Sequence, residues 1–253
     1  MIPKQIHCVW LSGEEKPELI KKCMASWQRV LPDYAVKEWS AADFDFSEFP
    51  AFVQEALSVR KWAFVTDYLR LYLLYKYGGI YMDTDIYVRK PIDPFLDNQF
   101  FSFMEYHPKG FRPFADRVDE NGYAKTDQNV PGMCMQAAFM GSVSGHIFLQ
   151  KCMDYYRQRH YLQEDGSQYN VIIAPDIFAL TARQFGFRYL DTEQNLSEGM
   201  KIYPSSFAAG ALTEVKRGNF AIHCCANSWV EHSGLKKRLR EARNKILETI
   251  YLR

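Results

Sequence analysis

An α/β domain is the fold class this sequence predicts, and three observations predict it. Short apolar runs of strand character alternate with segments whose apolar residues recur at helical spacing, the pattern of strands joined by packed helices. With 253 residues and 47% hydrophobic content, the chain can bury one large core. No internal repeat or low-complexity tract interrupts the alternation.

Taken in order, "QIHCVWL" reads as a buried first strand, and "KPELIKKCMASWQRV" as a helix that stops at Leu31-Pro32. "YAVKEW" is a second strand. After "FPAFVQEAL", residues 60–77 are apolar on nearly every face, as expected of a helix inside a core, and Gly78-Gly79 ends it. "IYM" and "IYV" read as short strands on either side of an acidic pair. "QFFSFM" and "QAAFMG" are buried strands, "GHIFLQKCMDYYRQR" and "PDIFALTARQFG" helices, and "NFAIHC" a late strand.

Lys+Arg of 31 against Asp+Glu of 30 leaves a net charge of +1, which excludes a polyanion-binding signature for the chain as a whole. No nucleic-acid partner is expected. The six cysteines have neither Cys-x-x-Cys pairs nor regular spacing. That argues against a zinc ribbon or disulfide framework and suits buried thiols in a reducing compartment. With no apolar segment of about 18 residues and no signal-like start, the expected location is cytoplasmic, at most peripheral on the inner face of a membrane.

Two regions stand apart. Residues 105–132 are polar and rich in Gly and Pro, either an idle insertion or a loop shaping a substrate site. Residues 235–253 form a basic amphipathic helix with Leu235, Leu239, Ile246, Leu247 and Ile250 as its apolar positions. It packs on the domain or meets an anionic membrane surface.

The acidic pair is the centre of the chemistry. In an extended segment Asp83 and Asp85 project to one side. Carboxylates about 5 Å apart repel by roughly 3 kcal/mol at an effective dielectric near 20. A divalent cation with a taste for hard oxygen, Mg²⁺ or Mn²⁺, removes that repulsion. In the preceding helix Asp67 and Arg70, three positions apart, share a face and can pair. Burying such a pair for stability alone is poorly rewarded. Facing a ligand, Arg70 would grip a phosphate or sugar oxygen and Asp67 sugar hydroxyls.

The stretches "IPKQIHCVWLSG", "SWQRVLPDYAVKEW", "AFVTDYLRLYLLYKYGGIYMDTDIYVRKPID" and "FAIHCCANSW" resemble, in order, the family-32 retaining glycosyltransferases. These include bacterial capsule and lipopolysaccharide sugar transferases. The resemblance implies a GT-A, Rossmann-like fold in one domain, residues 1–234, followed by the helix 235–253. It implies that Val9 and Trp10 line the nucleotide base, that Asp67 and Arg70 contact donor sugar and phosphate, and that Tyr81 touches phosphate or ribose, although sheet packing suits Tyr81 equally. It further implies that Asp83 and Asp85 hold Mn²⁺ or Mg²⁺ with His223 as a further ligand, and that Ser228 and Trp229 close over the diphosphate. The sequence departs from the family at Cys224, where a second histidine is common, and at Ala174-Pro175, where Gly-Pro is.

The implied activity is metal-dependent transfer of a hexose from a nucleotide sugar, with a UDP-sugar the leading donor, to a saccharide or lipid-linked saccharide acceptor. Configuration is retained, and the product belongs to a surface polysaccharide. Asp67, Glu105, Asp127 and Asp176 stay open as nucleophiles. Two rivals remain, a haloacid-dehalogenase-like phosphatase using Asp83 as nucleophile and a non-catalytic nucleotide-sugar or Ca²⁺ module. The phosphatase pattern lacks its expected residue at Tyr87 and a later Gly-Asp motif.

Overall fold

The computed structural model describes residues 1–169, 172–225 and 235–252. The alternation is seen in β1 (Gln5–Val9), α1 (Glu18–Val30), β2 (Ala35–Trp39), α2 (Ala51–Ser58), α3 (Trp62–Tyr77), β3 (Gly79–Met82) and β4 (Ile86–Val88). It continues through β5 (Phe100–Tyr106), α4 (Pro108–Phe111), β6 (Met133–Met135), β7 (Phe139–Ser142), α5 (Ile147–Arg157) and α6 (Ala174–Ala182). The chain ends in β8 (Gln194–Asn195), β9 (Met200–Tyr203), β10 (Ala208–Ala209), β11 (Ala221–His223) and α7 (Leu235–Tyr251).

Eight strands form the main sheet in the order β2-β1-β3-β7-β5-β9-β8, with β6 beside β5. β2, β1 and β3 run parallel, the Rossmann-like half expected from the sequence, and β7 then turns the sheet antiparallel. One core, built around Phe52, Leu69, Leu73, Phe148 and Phe178, joins α2, α3, α5 and α6 to one side of this sheet. A second, around Trp27, Phe95, Phe101 and Phe103, includes α1.

β4 leaves the main sheet for a second one of order β10-β11-β4. α1 seats it there. Trp27 Nε1 donates to the Ile86 carbonyl at 2.7 Å, the Val88 N–H donates to Ser26 Oγ at 2.8 Å, and Arg29 Nη2 reaches Tyr87 Oη at 2.6 Å. The antiparallel register pairs His223 of β11 with Ile86. A late residue is thereby fixed beside the acidic pair.

Several expectations are corrected. The long helix starts at Trp62 rather than at residue 60, because Arg60 has φ of 55° in the turn from α2 to α3. The acidic pair lies in a turn closed by the Ile86 N–H on the Asp83 carbonyl, not in an extended segment; a chain changing sheets must bend there. Residues 105–132 hold the end of β5, α4 and a 3-10 stretch, Arg112–Arg117. The C-terminal helix forms. Leu247, Tyr251 and Leu252 at its end pack against Tyr87, Ile222 and Cys224, while Ile246 and Ile250 remain exposed. No described helix is long and apolar enough to cross a membrane. Cys8, Cys23, Cys134, Cys152 and Cys224 are buried thiols, as expected, and Cys225 is half-buried.

The Gly78-Gly79 junction has a steric cause. Gly78 caps α3 at φ 67°, its N–H on the Leu74 carbonyl at 2.8 Å. The Gly78 carbonyl is held by His7 Nε2 at 2.9 Å, while Trp39 Nε1 donates to His7 Nδ1 at 3.1 Å. At Gly79 φ is 98°, and a Cβ would lie 2.5 Å from the Gln5 carbonyl oxygen on β1. Neither the backbone angle nor the space admits a side chain. Gly79→Ala should therefore destabilise the chain by about 2–3 kcal/mol in urea unfolding; a change below about 0.5 kcal/mol would contradict the crowding at β1.

Candidate metal and nucleotide-sugar site

The site is built where α3, the end of β3 and the end of β11 meet. Arg70 projects from α3 with its side chain 6% exposed. Nε donates to the Thr66 carbonyl at 3.1 Å and Nη1 to the Ala137 carbonyl at 2.8 Å. Nη2 lies 3.0 Å from Asp67 Oδ1 and 3.5 Å from Asp83 Oδ1. Burial opposes the charged guanidinium, but the Asp83, Tyr81 and Asp67 groups outweigh it and raise its pKa above the usual arginine value. A permanently charged guanidinium thus stands behind the acidic pair.

Asp83 is fixed from three directions. Its N–H donates to the Ala138 carbonyl at 2.8 Å, Tyr81 Oη donates to Oδ1 at 2.8 Å, and Arg70 supplies charge. Burial lifts its carboxyl above the ordinary range, with Asp85 adding to the lift, while Arg70, His223 and Tyr81 pull it down. Burial likewise pushes Asp67 up to about 6, against the pull of Arg70. Asp85, nearly buried, holds the Cys224 N–H on its carbonyl at 3.0 Å and lies 3.4 Å from His223 Nε2 through its carboxylate. For His223, burial disfavours the cation, yet Cys225 and Asp85 raise its pKa well above the free imidazole value.

Asp83, Asp85 and His223 each offer one ligand atom, and all three atoms lie within 4.8 Å of one another. Asp67 and Asp83 pair with the one guanidinium, and Asp85 lies beside them against His223. The surplus negative charge and the mixed oxygen and imidazole donors fit a divalent cation such as Mn²⁺, and Mg²⁺ less closely because it prefers oxygen.

Other expected residues fall around this cluster. Val9 is buried at the end of β1. Trp10 is half-buried, its Nε1 on the Glu14 carbonyl at 2.8 Å and Lys16 Nζ 5.2 Å from its ring centre. Tyr81 is buried, and its hydroxyl serves Asp83. Ser228 and Trp229 lie outside the described residues. Of the four carboxylates left open as nucleophiles, Asp67 pairs with Arg70, Asp176 accepts from Asn129 Nδ2 at 3.1 Å, and Asp127 is fully exposed.

The fourth, Glu105, belongs to a group no sequence pattern revealed. His107 lies 3.2 Å from Glu105 Oε1 through Nε2 and 2.8 Å from Glu214 Oε1 through Nδ1. Hydrogen bonds to Glu105 and Glu214 lift its pKa to about 10. The group abuts Gly210, whose carbonyl accepts from Cys225 Sγ at 3.0 Å, two residues beyond His223. Only the i, i+2 spacing of Glu105 and His107 was available in the sequence. Glu214 arrives from 107 residues away.

A family model described as capsular polysaccharide synthesis protein matches residues 1–198. Over 120 residues the chain is 32% identical to inositol phosphoceramide mannosyltransferase 1 of Schizosaccharomyces pombe, a match covering 44% of this chain and 36% of the relative. Over 98 residues it is 35% identical to inositol phosphoceramide mannosyltransferase 3 of the same organism, covering 38% and 27%. The chain spans about a third of the length of these curated relatives. Among solved structures, the PaToxG glycosyltransferase aligns with a TM-score of 0.48 at 17% identity, covering 72% of this chain and 69% of that one.

The His107 pair has a pH signature. A histidine whose folded pKa is raised contributes stability in full below about pH 6.5, and the contribution is lost as pH rises through about 10. The melting-temperature gap between the chain and His107→Gln should therefore narrow steadily from pH 7 to pH 10. A gap that is constant or widens over that range would refute the ion-paired histidine.

Proposed function

The chain belongs to the capsular polysaccharide synthesis family, and from that premise we propose that it is a metal-dependent, retaining glycosyltransferase of GT-A type. It moves a hexose from a nucleotide diphosphate sugar, with a UDP-sugar the leading donor, to a saccharide or lipid-linked saccharide in surface polysaccharide synthesis. The observation that carries the reading is the convergence of Asp83, Asp85 and His223 within 4.8 Å against a buried arginine. Mannose is the sugar that the yeast relatives' names suggest.

Asp83, Asp85 and His223 would hold the cation, which when bound supplies charge neutralisation for a diphosphate. Arg70 keeps Asp83 aligned and adds fixed positive potential where the leaving group's charge develops. Val9 and Trp10 take the base, and Asp67 accepts hydrogen bonds from the sugar. Ser228 and Trp229 complete the diphosphate pocket by the family resemblance. Residues 1–234 form the catalytic domain in this reading. The helix that follows, basic and with Ile246 and Ile250 exposed, lies against the inner face of an anionic membrane.

Purified chain incubated with UDP- and GDP-sugars, with Mn²⁺, Mg²⁺ or chelator, should release nucleoside diphosphate only when a metal is present. Release of inorganic phosphate instead would point to a phosphatase and overturn the reading. Asp85→Asn leaves in place the backbone bond from the Cys224 N–H to its carbonyl, and should lower turnover by about a hundredfold or more at an unchanged circular dichroism spectrum; near wild-type transfer refutes the metal role. Trp10→Ala should raise the donor KM about tenfold or more, from the loss of base stacking. An unaltered KM would leave Trp10 a packing residue.

A further inference from the structure

A cleft of about 670 Å³ opens at the far end of α6. Its walls are Tyr155 and Arg159 from the end of α5, Ile172, Leu180 and Arg183 from α6 and its flanks, and Asp127 from the 105–132 region. Two guanidiniums, from the segments that follow α5 and α6, face it. Arg159 lies over the Tyr155 ring at 3.5 Å and gives Nη1 to the Tyr155 carbonyl at 2.8 Å. Arg183 gives Nη2 to the Thr126 carbonyl at 2.8 Å and stands 3.7 Å from the fully exposed Asp127 carboxylate. A guanidinium carries five N–H donors. Both arginines therefore retain donors for a ligand, and among the described residues the exposed Asp127 is the one acid in the wall.

The cleft is linked to the metal cluster through packed elements. α6 packs on β6, and the chain just beyond β6 supplies the Ala137 and Ala138 carbonyls that hold Arg70 and Asp83. Leu180 follows Asp176 by about one helical turn, and Asp176 is hydrogen-bonded to Asn129, two residues from Asp127. Charge has opposite sign at the two ends. The metal cluster is acidic, and the cleft is cationic with an apolar wall of Tyr155, Ile172 and Leu180.

We propose that this cleft binds a phosphate group carried by the acceptor, an assignment that rests on the transferase reading above. Two guanidiniums, one just beyond α5 and one just beyond α6, suit a tetrahedral oxyanion, which accepts from both forks at once. The apolar wall suits the organic group next to the phosphate. The Asn129–Asp176 pair ties the 105–132 region, which carries Asp127, to α6, the helix that packs on β6.

Phenyl phosphate is the probe. Titrated into the full chain without metal and followed through the arginine Nε–H signals by NMR, it should bind saturably. Arg159→Gln and Arg183→Gln should each weaken binding by about tenfold or more, and Asp85→Asn should leave it unchanged. Arg183→Lys, which keeps the charge and guards against a misfolded Gln variant, should still bind at least about threefold more weakly. No saturable binding, full-strength binding by these arginine variants, equal affinity for benzoate, or loss of binding in Asp85→Asn would each overturn the phosphate assignment. Release of nucleoside diphosphate from donor in the absence of acceptor should be the same in both Gln variants as in the unaltered chain. A chain that binds phenyl phosphate in the cleft but releases nucleoside diphosphate from no donor keeps an anion site and overturns its assignment to an acceptor.

Discussion

The structure of the site depends on one buried cation. Arg70 is enclosed by the protein, and its guanidinium bridges the α3 backbone at Thr66, the Ala137 carbonyl after β6, and the carboxylates of Asp67 and Asp83. Taking a guanidinium out of water costs several kcal/mol, offset only when charge and hydrogen bonds surround it. Here they do, and the same bonds couple three elements to one point. Asp83 can tolerate Asp85 and Asp67 nearby because Arg70 offsets part of their mutual repulsion.

What Arg70 leaves over explains the rest of the site. It pairs with two carboxylates, Asp67 and Asp83, and Asp85 adds a third nearby, so negative charge gathers at the end of β3, where Asp83 and Asp85 turn toward His223. The turn exists because β4 abandons the main sheet for the smaller one, a change of sheet that Ser26, Trp27 and Arg29 of α1 hold in place. Antiparallel pairing of β11 with β4 then delivers the imidazole. A hydrophobic and hydrogen-bonded corner, together with the Asp85–His223 ion pair, positions the two carboxylates beside each other.

The division of charge along the molecule has a functional logic. The acidic cluster of Asp83 and Asp85 lies at the end of β3, whereas two arginines line the cleft at the far end of α6. His107 with Glu105 and Glu214 ties the base of the 105–132 region to the turn after β10.

Sequence alone determined the α/β class, the core helix around Asp67 and Arg70 and the Gly-Gly stop, and it put forward Asp83, Asp85 and His223 as candidate ligands, which the structure brings within 4.8 Å of one another. Each of these is written in local spacing or in a stretch that resembles a known family. Short strands such as β6, β8 and β10 were not legible, since two or three residues carry no period and are held only by their neighbours. Tertiary structure alone decided that the acidic pair is a turn, that Arg70 faces inward onto Asp83 and the Ala137 carbonyl, that Glu214 meets His107, and that Arg159 and Arg183 share a cleft. The reason is physical: these contacts join residues dozens to more than a hundred positions apart, and no pattern along the chain records which distant backbone will supply a partner.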